Sequence, residues 1–288
     1  MSEPAQTPPP AARHGVEPAP ASLVPENGWH FLHLFYRVDR GALAKLSDEE
    51  RARGRAELVA ALDRSRSDAP AQLQAFFMVG HKADFGVVLA GPDLRALHDV
   101  QTRIQAGALG PALVATYSFY SITEISEYVP DVEAYGKVLR DREGVDPESV
   151  TYKTKLAQYT ARLGPMNKQR LTPEFPDWPI VCFYPMSKTR IEGQNWYTET
   201  FDRRAEMMSG HGKSGMKFAG KVSQVITAST GLDDWEWGVT LWARNPSYLK
   251  DIVYTMRFDE SSARYALFGP FYPGFIVPPS ELVDAIRL

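Results

Sequence analysis

The sequence predicts an α+β fold made of two tandem, duplicated ferredoxin-like halves, a dimeric α/β barrel in which an antiparallel β-barrel carries its helices outside. Three observations predict it. From Trp29 the periodicity runs strand, helix, strand, strand, helix, strand. The same order returns after Pro179. The hairpins of the two halves also read alike, Phe85-Gly86-Val87-Val88-Leu89 against Trp237-Gly238-Val239-Thr240-Leu241. Two antiparallel sheets, each with helices on one face, can close on one another and so remove their exposed edges.

Residues 1–28 hold seven of the 22 prolines and no Phe, Trp or Tyr. Such a composition buries too little apolar surface to offset the entropy of ordering, and it predicts a disordered leader. The N-terminal half, residues 29–129, opens with an aromatic strand at Trp29–Val38. A helix follows from about Ser47 to Arg64, with Leu58, Ala61 and Leu62 on one face. Strands at Gln72–Gly80 and Asp84–Ala90 flank a short turn, and the helix from Pro92 to about Gln105 has a proline and Asp93 in its first turn, where unpaired N–H groups suit both. The strand Ala115–Ser126 is rich in aromatic and β-branched residues. Residues 130–179 read as a polar linker. The C-terminal half, 180–288, repeats the order with a strand at Ile180–Pro185, a helix from about Asn195 to His211, a hairpin within Lys221–Ala243, a helix at Pro246–Arg257 and a terminal strand region near Phe268–Val277.

The 288 residues include 44% hydrophobic and 23% charged, with a formal charge of −3. That near balance offers no global attraction for nucleic acid or an anionic membrane. Cys182 is the single cysteine, which excludes an internal disulfide framework and any cysteine-built zinc or iron–sulfur site. No apolar run approaches the roughly 18 residues of a spanning helix. A cytoplasmic protein with no membrane and no nucleic-acid partner is the expectation.

The chemistry concentrates in the second half. His211 lies on the stripe Tyr197, Phe201, Arg204 or Ala205, Met208, which predicts an imidazole entering the core at the end of its helix. It is either a histidine satisfied by the helix dipole and local carbonyls or a lone axial ligand for a haem iron, since zinc would need three or four protein donors. Gln224 falls on the alternating strand Val222, Gln224, Ile226, where a buried amide is expected, and Tyr184 sits in Phe183-Tyr184-Pro185-Met186-Ser187-Lys188. Arg170, Lys188, Arg190, Arg257, Ser262 and Arg264 flank the second sheet. Each alone reads as a solvated surface group; together they suit a ligand with several carboxylates.

These segments, with Asn195-Trp196-Tyr197, Met208 to His211, Lys221 to Ile226, Gly231 to Leu241, Met256-Arg257-Phe258-Asp259-Glu260, Ser262 to Tyr265 and Phe268 to Phe271, resemble the chlorite dismutase family and, within it, the coproheme decarboxylases. The resemblance spans roughly residues 29–287 and is densest after Pro179. It implies two ferredoxin-like halves per chain, a ring-shaped homopentamer and a porphyrin in the C-terminal half. By that resemblance His211 is the proximal iron ligand, Gln224 the distal residue and Tyr184 the redox-active tyrosine. Arg170, Lys188, Arg257 and Ser262 match positions that hold propionates, and Met186 falls among the porphyrin contacts. Thr255 stands where many relatives show Glu.

The implied substrate and redox centre is iron coproporphyrin III (coproheme), and the implied product is haem b. Two rounds with hydrogen peroxide each convert a propionate to a vinyl group with loss of carbon dioxide, Tyr184 relaying the oxidation while Lys188 clamps a propionate or gives a proton. A transient contact with a coproporphyrin ferrochelatase belongs to the same implication. Three alternatives stand beside it: a chlorite dismutase, a haem-binding or transfer protein without turnover, and a barrel whose site has decayed. A chlorite dismutase relies on a distal arginine where this chain has Gln224; a mere carrier needs no oxidisable phenol; intact His211, Tyr184 and Lys188 argue against decay.

Overall fold

The computed structural model describes residues 21–288. The expected leader, 1–28, therefore falls mostly outside the described residues. Its last residue, Gly28, has φ +80° and passes so close to Thr123 that a Cβ would meet the Thr123 carbonyl oxygen at 2.3 Å. Only glycine enters the first strand by this path.

Strand β1 (His30–Val38) leads to a single helical turn α1 (Arg40–Leu43) and helix α2 (Asp48–Ala61). Ser47 starts α2 with a full capping box, its side chain accepting from the Glu50 N–H and the Glu50 carboxylate accepting from the Ser47 N–H. Strands β2 (Gln72–Met78) and β3 (Phe85–Gly91), helix α3 (Leu94–Ala106) and β4 (Leu113–Thr123) complete the first half. Helices α4 (Val132–Asp141) and α5 (Val150–Leu171) occupy the segment expected to be a polar linker. In the second half come β5 (Ile180–Lys188), the small pair β6 (Arg190–Ile191) and β7 (Gln194–Asn195), helix α6 (Phe201–Met216), β8 (Val222–Ala228), β9 (Trp237–Ala243) and α7 (Pro246–Met256). Helix α8 (Glu260–Tyr265), β10 (Ala266–Phe268), β11 (Tyr272–Ile276) and α9 (Pro279–Ala285) close the chain.

The long strands join one nine-stranded sheet in the order β10-β5-β11-β2-β3-β1-β4-β8-β9, and every pairing in it is antiparallel. The fold class needs correction accordingly: this is an α+β protein with one large sheet, not the closed antiparallel β-barrel expected. Strand β10, three residues long, is left at an end. Where the halves meet, β4 and β8 share only the pairs Ile122–Ala228 and Thr123–Thr227. A register shift between Phe35 and Tyr36 marks a bulge in the β1–β4 ladder, and a bulge bends and twists its strand out of line with a would-be neighbour. Strand β5 also pairs with β9, which curls the sheet around its core without completing a ladder between β4 and β8.

Alternation along the strands sorts the side chains into layers. Leu32, Leu34 and Tyr36 of β1, with Phe85, Val87 and Leu89 of β3, pack under α2, α3 and α9. The opposite faces, Phe31, Phe35, Phe76, Val88, Phe119, Val181, Phe183, Val225 and Trp242, meet in a core shared by both halves. His33 lies inside it, stacked 4.0 Å from Phe183, its Nε2 at 2.8 Å from Thr240 Oγ1, and burial pushes its pKa down to about 3. Among the described residues no helix is long and apolar enough to cross a membrane.

Candidate functional site

The outer face of the second half is smaller than that of the first. Because Val181 and Phe183 of β5 turn into the shared core, Tyr184 and Met186 turn outward, joining Val239, Leu241 and Ile252. Strand register sets their neighbours: Tyr184 lies opposite Val239, which lies opposite Ile226, and one step along Gln224 lies opposite Leu241. Tyr184, Met186 and Gln224 thus share one face. Gln224 is exposed, not buried as expected, and Ile226 is 42% exposed.

The Tyr184 ring is buried, 4.5 Å from the Phe271 ring and 5.8 Å from that of Phe268. Burial raises its pKa well above the ordinary phenol value, nearby Cys182 adds to the rise, and the positive charge of Arg257 opposes both. Arg257 is exposed, with its guanidinium 4.7 Å over Phe268. The structure therefore groups Tyr184, Met186 and Arg257 around one aromatic cluster.

Lys188 lies on the same face four residues further, about 13 Å along the strand, so it does not meet Tyr184. Its buried ammonium donates to the Ser261 carbonyl oxygen at 3.0 Å and to Ser261 Oγ at 2.6 Å, and it sits 4.3 Å over the Trp196 ring. Burial lowers its pKa to about 8, against the opposing pull of Asp259 and Glu236. The Lys188 backbone N–H donates to Glu236 Oε2 at 2.8 Å.

His211 lies within α6 and not at its end, because the helix begins at Phe201 and runs on to Met216. Trp196–Thr198 is only a 3-10 turn. The stripe shifts with it: Met207 is buried and Met208 half-buried, whereas Tyr197 and Phe201 are about half exposed. His211 Nδ1 lies 3.0 Å from Asp259 Oδ2. An ionised carboxylate only accepts, so Nδ1 carries the proton and the neutral ring keeps its lone pair on Nε2. Asp259 caps α8, accepting from the Ser262 N–H at 3.0 Å on Oδ1 and from the Ser262 hydroxyl at 3.1 Å on Oδ2. Burial raises the Asp259 pKa, but the hydrogen bonds from His211 and Ser262 outweigh it and hold the carboxyl below its ordinary value. The sequence alone places Asp259 within a longer motif and gives it no role; the Asp-x-x-Ser spacing of a helix start is the signal that could have found it.

Arg170 lies in the last turn of α5. Its Nη1 is buried without a hydrogen-bond partner. Burial lowers its pKa. Arg190 and Arg264 lie near carboxylates already, at 3.7 Å from Glu236 and 3.0 Å from Glu260. Among the described residues no group of three or more His, Cys, Asp and Glu side chains could hold a metal ion.

The sequence profile of the chlorite dismutase family matches residues 51–277. A coproheme decarboxylase of Staphylococcus carnosus is 37% identical over 265 residues, covering 91% of this chain and 97% of that protein. A longer protein of Natronomonas pharaonis is 41% identical over 261 residues, and the match covers 89% of this chain but 40% of that protein's length. Among solved structures, a heme-binding protein from Thermus thermophilus has 35% sequence identity and a TM-score of 0.74, with 91% of this chain and 96% of that one covered.

Proposed function

Because the chain belongs to the chlorite dismutase family, we infer that it is a coproheme decarboxylase, a peroxide-dependent haem enzyme that turns iron coproporphyrin III into haem b. The observation that carries this reading is the 37% identity along 97% of a protein of that name. The side chains fit such a substrate. The buried Nη1 of Arg170 lacks an acceptor, the Arg257 guanidinium is exposed, and a porphyrin with four propionates brings acceptors for both.

In this reading His211 Nε2 would hold the iron, Gln224 would face the porphyrin, and Tyr184 would pass on the oxidising power that the iron porphyrin supplies. Arg170, Lys188, Arg257 and Ser262 hold propionates, with Met186 against the ring. The iron porphyrin, with hydrogen peroxide, supplies the oxidising power. Each round removes two electrons and one proton from a propionate as it becomes a vinyl group and carbon dioxide. Reducing one peroxide to two waters consumes two protons and two electrons, so each round takes up one proton net. Lys188, with a pKa of about 8, is largely protonated at neutral pH and is suited to give it. Cytoplasmic location, division into halves at 29–129 and 180–288, assembly as a homopentamer and transient contact with a coproporphyrin ferrochelatase complete the proposal.

The test is to load the protein with iron coproporphyrin III, add hydrogen peroxide and weigh the porphyrin. A three-propionate intermediate followed by haem b is expected; coproheme left intact would remove the reading.

A further inference from the structure

Lysine is seldom fully buried, yet Lys188 is, and the backbone from which it springs is fixed on both sides. Its own N–H donates to Glu236 Oε2 at 2.8 Å, and the N–H of Thr189 donates to the Tyr265 carbonyl oxygen at 2.8 Å. The side chain then runs over the Trp196 ring, with Nζ 4.3 Å from the centroid, and ends on the first turn of α8. There two oxygens of one residue receive it, the Ser261 carbonyl at 3.0 Å and Ser261 Oγ at 2.6 Å. Among the described residues these are the only hydrogen-bond acceptors that Nζ meets. Ser261 is itself buried, and its hydroxyl proton is directed to Met208 Sδ at 3.3 Å, which leaves the lone pairs of Oγ to the ammonium.

We propose that Ser261 is a positioning residue for Lys188, holding the ammonium by two of its three N–H groups and setting how readily it gives up a proton. The inference rests on the reading of Lys188 as the proton donor. Its physical basis is a balance of opposed effects on a buried ammonium. Loss of water disfavours the charged form, whereas short bonds to oxygen favour it, because an ammonium donates more strongly than a neutral amine. The charged groups that face Lys188 are Asp259 at the start of α8 and Glu236 before β9, and both favour the ammonium. Each is already engaged elsewhere, Asp259 with His211 at 3.0 Å and Glu236 near Arg190 at 3.7 Å. Trp196 offers a ring face and Met208 a neutral thioether. The direct hold is therefore that of Ser261. Burial brings the Lys188 pKa to about 8, close enough to neutrality for the loss of one hydrogen bond to change the protonated fraction several-fold. Two N–H groups are occupied by Ser261, and the third is left for a substrate oxygen.

Ser261→Ala removes the hydroxyl and keeps the carbonyl. In protein labelled at lysine Cε, the Lys188 signal, identified by its absence from Lys188→Met, is titrated by NMR with no porphyrin bound. The parent midpoint is expected at about 8 and that of the variant about one pH unit lower, a tenfold weaker hold on the proton. At pH 7.5 the protonated fraction then falls from about three-quarters to about one-quarter. The inflection of kcat/KM for coproheme should move down with it, with turnover about threefold slower at pH 7.5. Ser261→Thr, which restores a hydroxyl, should return both towards the parent. An NMR midpoint unchanged in Ser261→Ala would overturn the inference. A midpoint that moves while kcat/KM keeps its inflection would uphold the grip of Ser261 on the ammonium and overturn the reading of Lys188 as the proton donor.

Discussion

Lys188→Met removes a buried charge while keeping most of the aliphatic stem, and the structure sets the size of the effect. Burial brings the Lys188 pKa from its ordinary 10.5 to about 8. In the window between those values the unfolded chain binds more protons than the folded one, so stability rises with pH across it, and the cost of the buried charge is fully present below about pH 8. At 1.36 kcal/mol per pKa unit the whole window is worth about 3 kcal/mol. Against that stand two bonds to Ser261 and the contact with the Trp196 ring, each about 1 kcal/mol, which the substitution also removes. At neutral pH the two proteins should therefore differ by little. The parent should gain on the variant by up to about 3 kcal/mol between pH 8 and 10.5. Urea unfolding at a series of pH values reads that difference directly. A parent-minus-variant difference flat over this window would mean that Lys188 titrates like a solvated lysine. In turnover, a lysine that supplies the proton predicts a kcat/KM that falls as pH rises through about 8, an inflection absent from the variant.

Tyr184→Phe keeps the ring against Phe271 and removes a hydroxyl with no hydrogen bond among the described residues, so stability should change by less than about 1 kcal/mol. Coproheme binding and reaction with peroxide should persist, with almost no three-propionate intermediate or haem b by mass spectrometry; near-normal product would refute the role of the phenol. The haem-loaded parent should release negligible oxygen from chlorite, because the neutral amide of Gln224 offers an anion no charge-assisted hold; rapid oxygen evolution would reverse the choice between the two activities. Gly238→Ala puts a Cβ 2.5 Å from Phe119 Cε1 and 3.0 Å from Thr227 Oγ1, and should cost about 1–3 kcal/mol. An unchanged thermal midpoint would show that the shared core yields there.

A strand buried on both faces reads as a short, nearly continuous apolar run bounded by turn residues, which is why β1, β2, β3 and β9 stand close to where the sequence places them. Ser47 and Glu50 likewise announce α2. Helix α5 is different: of its 22 residues only Tyr159 is buried, and Gly164 and Pro165 interrupt it, so its sequence carries no apolar stripe to read. In α6 the glycines at 210, 212 and 215 each weaken helix propensity and suggest an end near His211, yet packing against α7 and α8 carries the helix to Met216. Closure of a sheet depends on twist accumulated over many strands and on the bulge at Phe35, neither of which has a local signature. The shared face of Tyr184 and Gln224 needs the β5–β9–β8 register, which alternation within one strand does not give. Whether a second layer covers them is likewise not legible in these strands, because that is set by where α7 packs.

How the helices are shared sets the two outer faces of the sheet apart. In the first half α2 and α3 lie on the sheet, and α9, from the far end of the chain, joins them with Leu282, Val283 and Ile286. The C-terminal helix thus covers the half remote from it in sequence, and among the described residues the second half has no counterpart. Its own first helix, α6, packs on α7 and α8 and not chiefly on the strands. Among the described residues α7 covers part of the outer face, where Tyr184, Val239, Leu241 and Ile252 are buried while Gln224 and Ile226 face solvent. An apolar sheet face with one covering helix, edged by the Arg257 guanidinium and adjoined by a helix that carries a carboxylate-held histidine, is left short of apolar cover. In the proposed reading a flat apolar ring with charged arms supplies the missing layer.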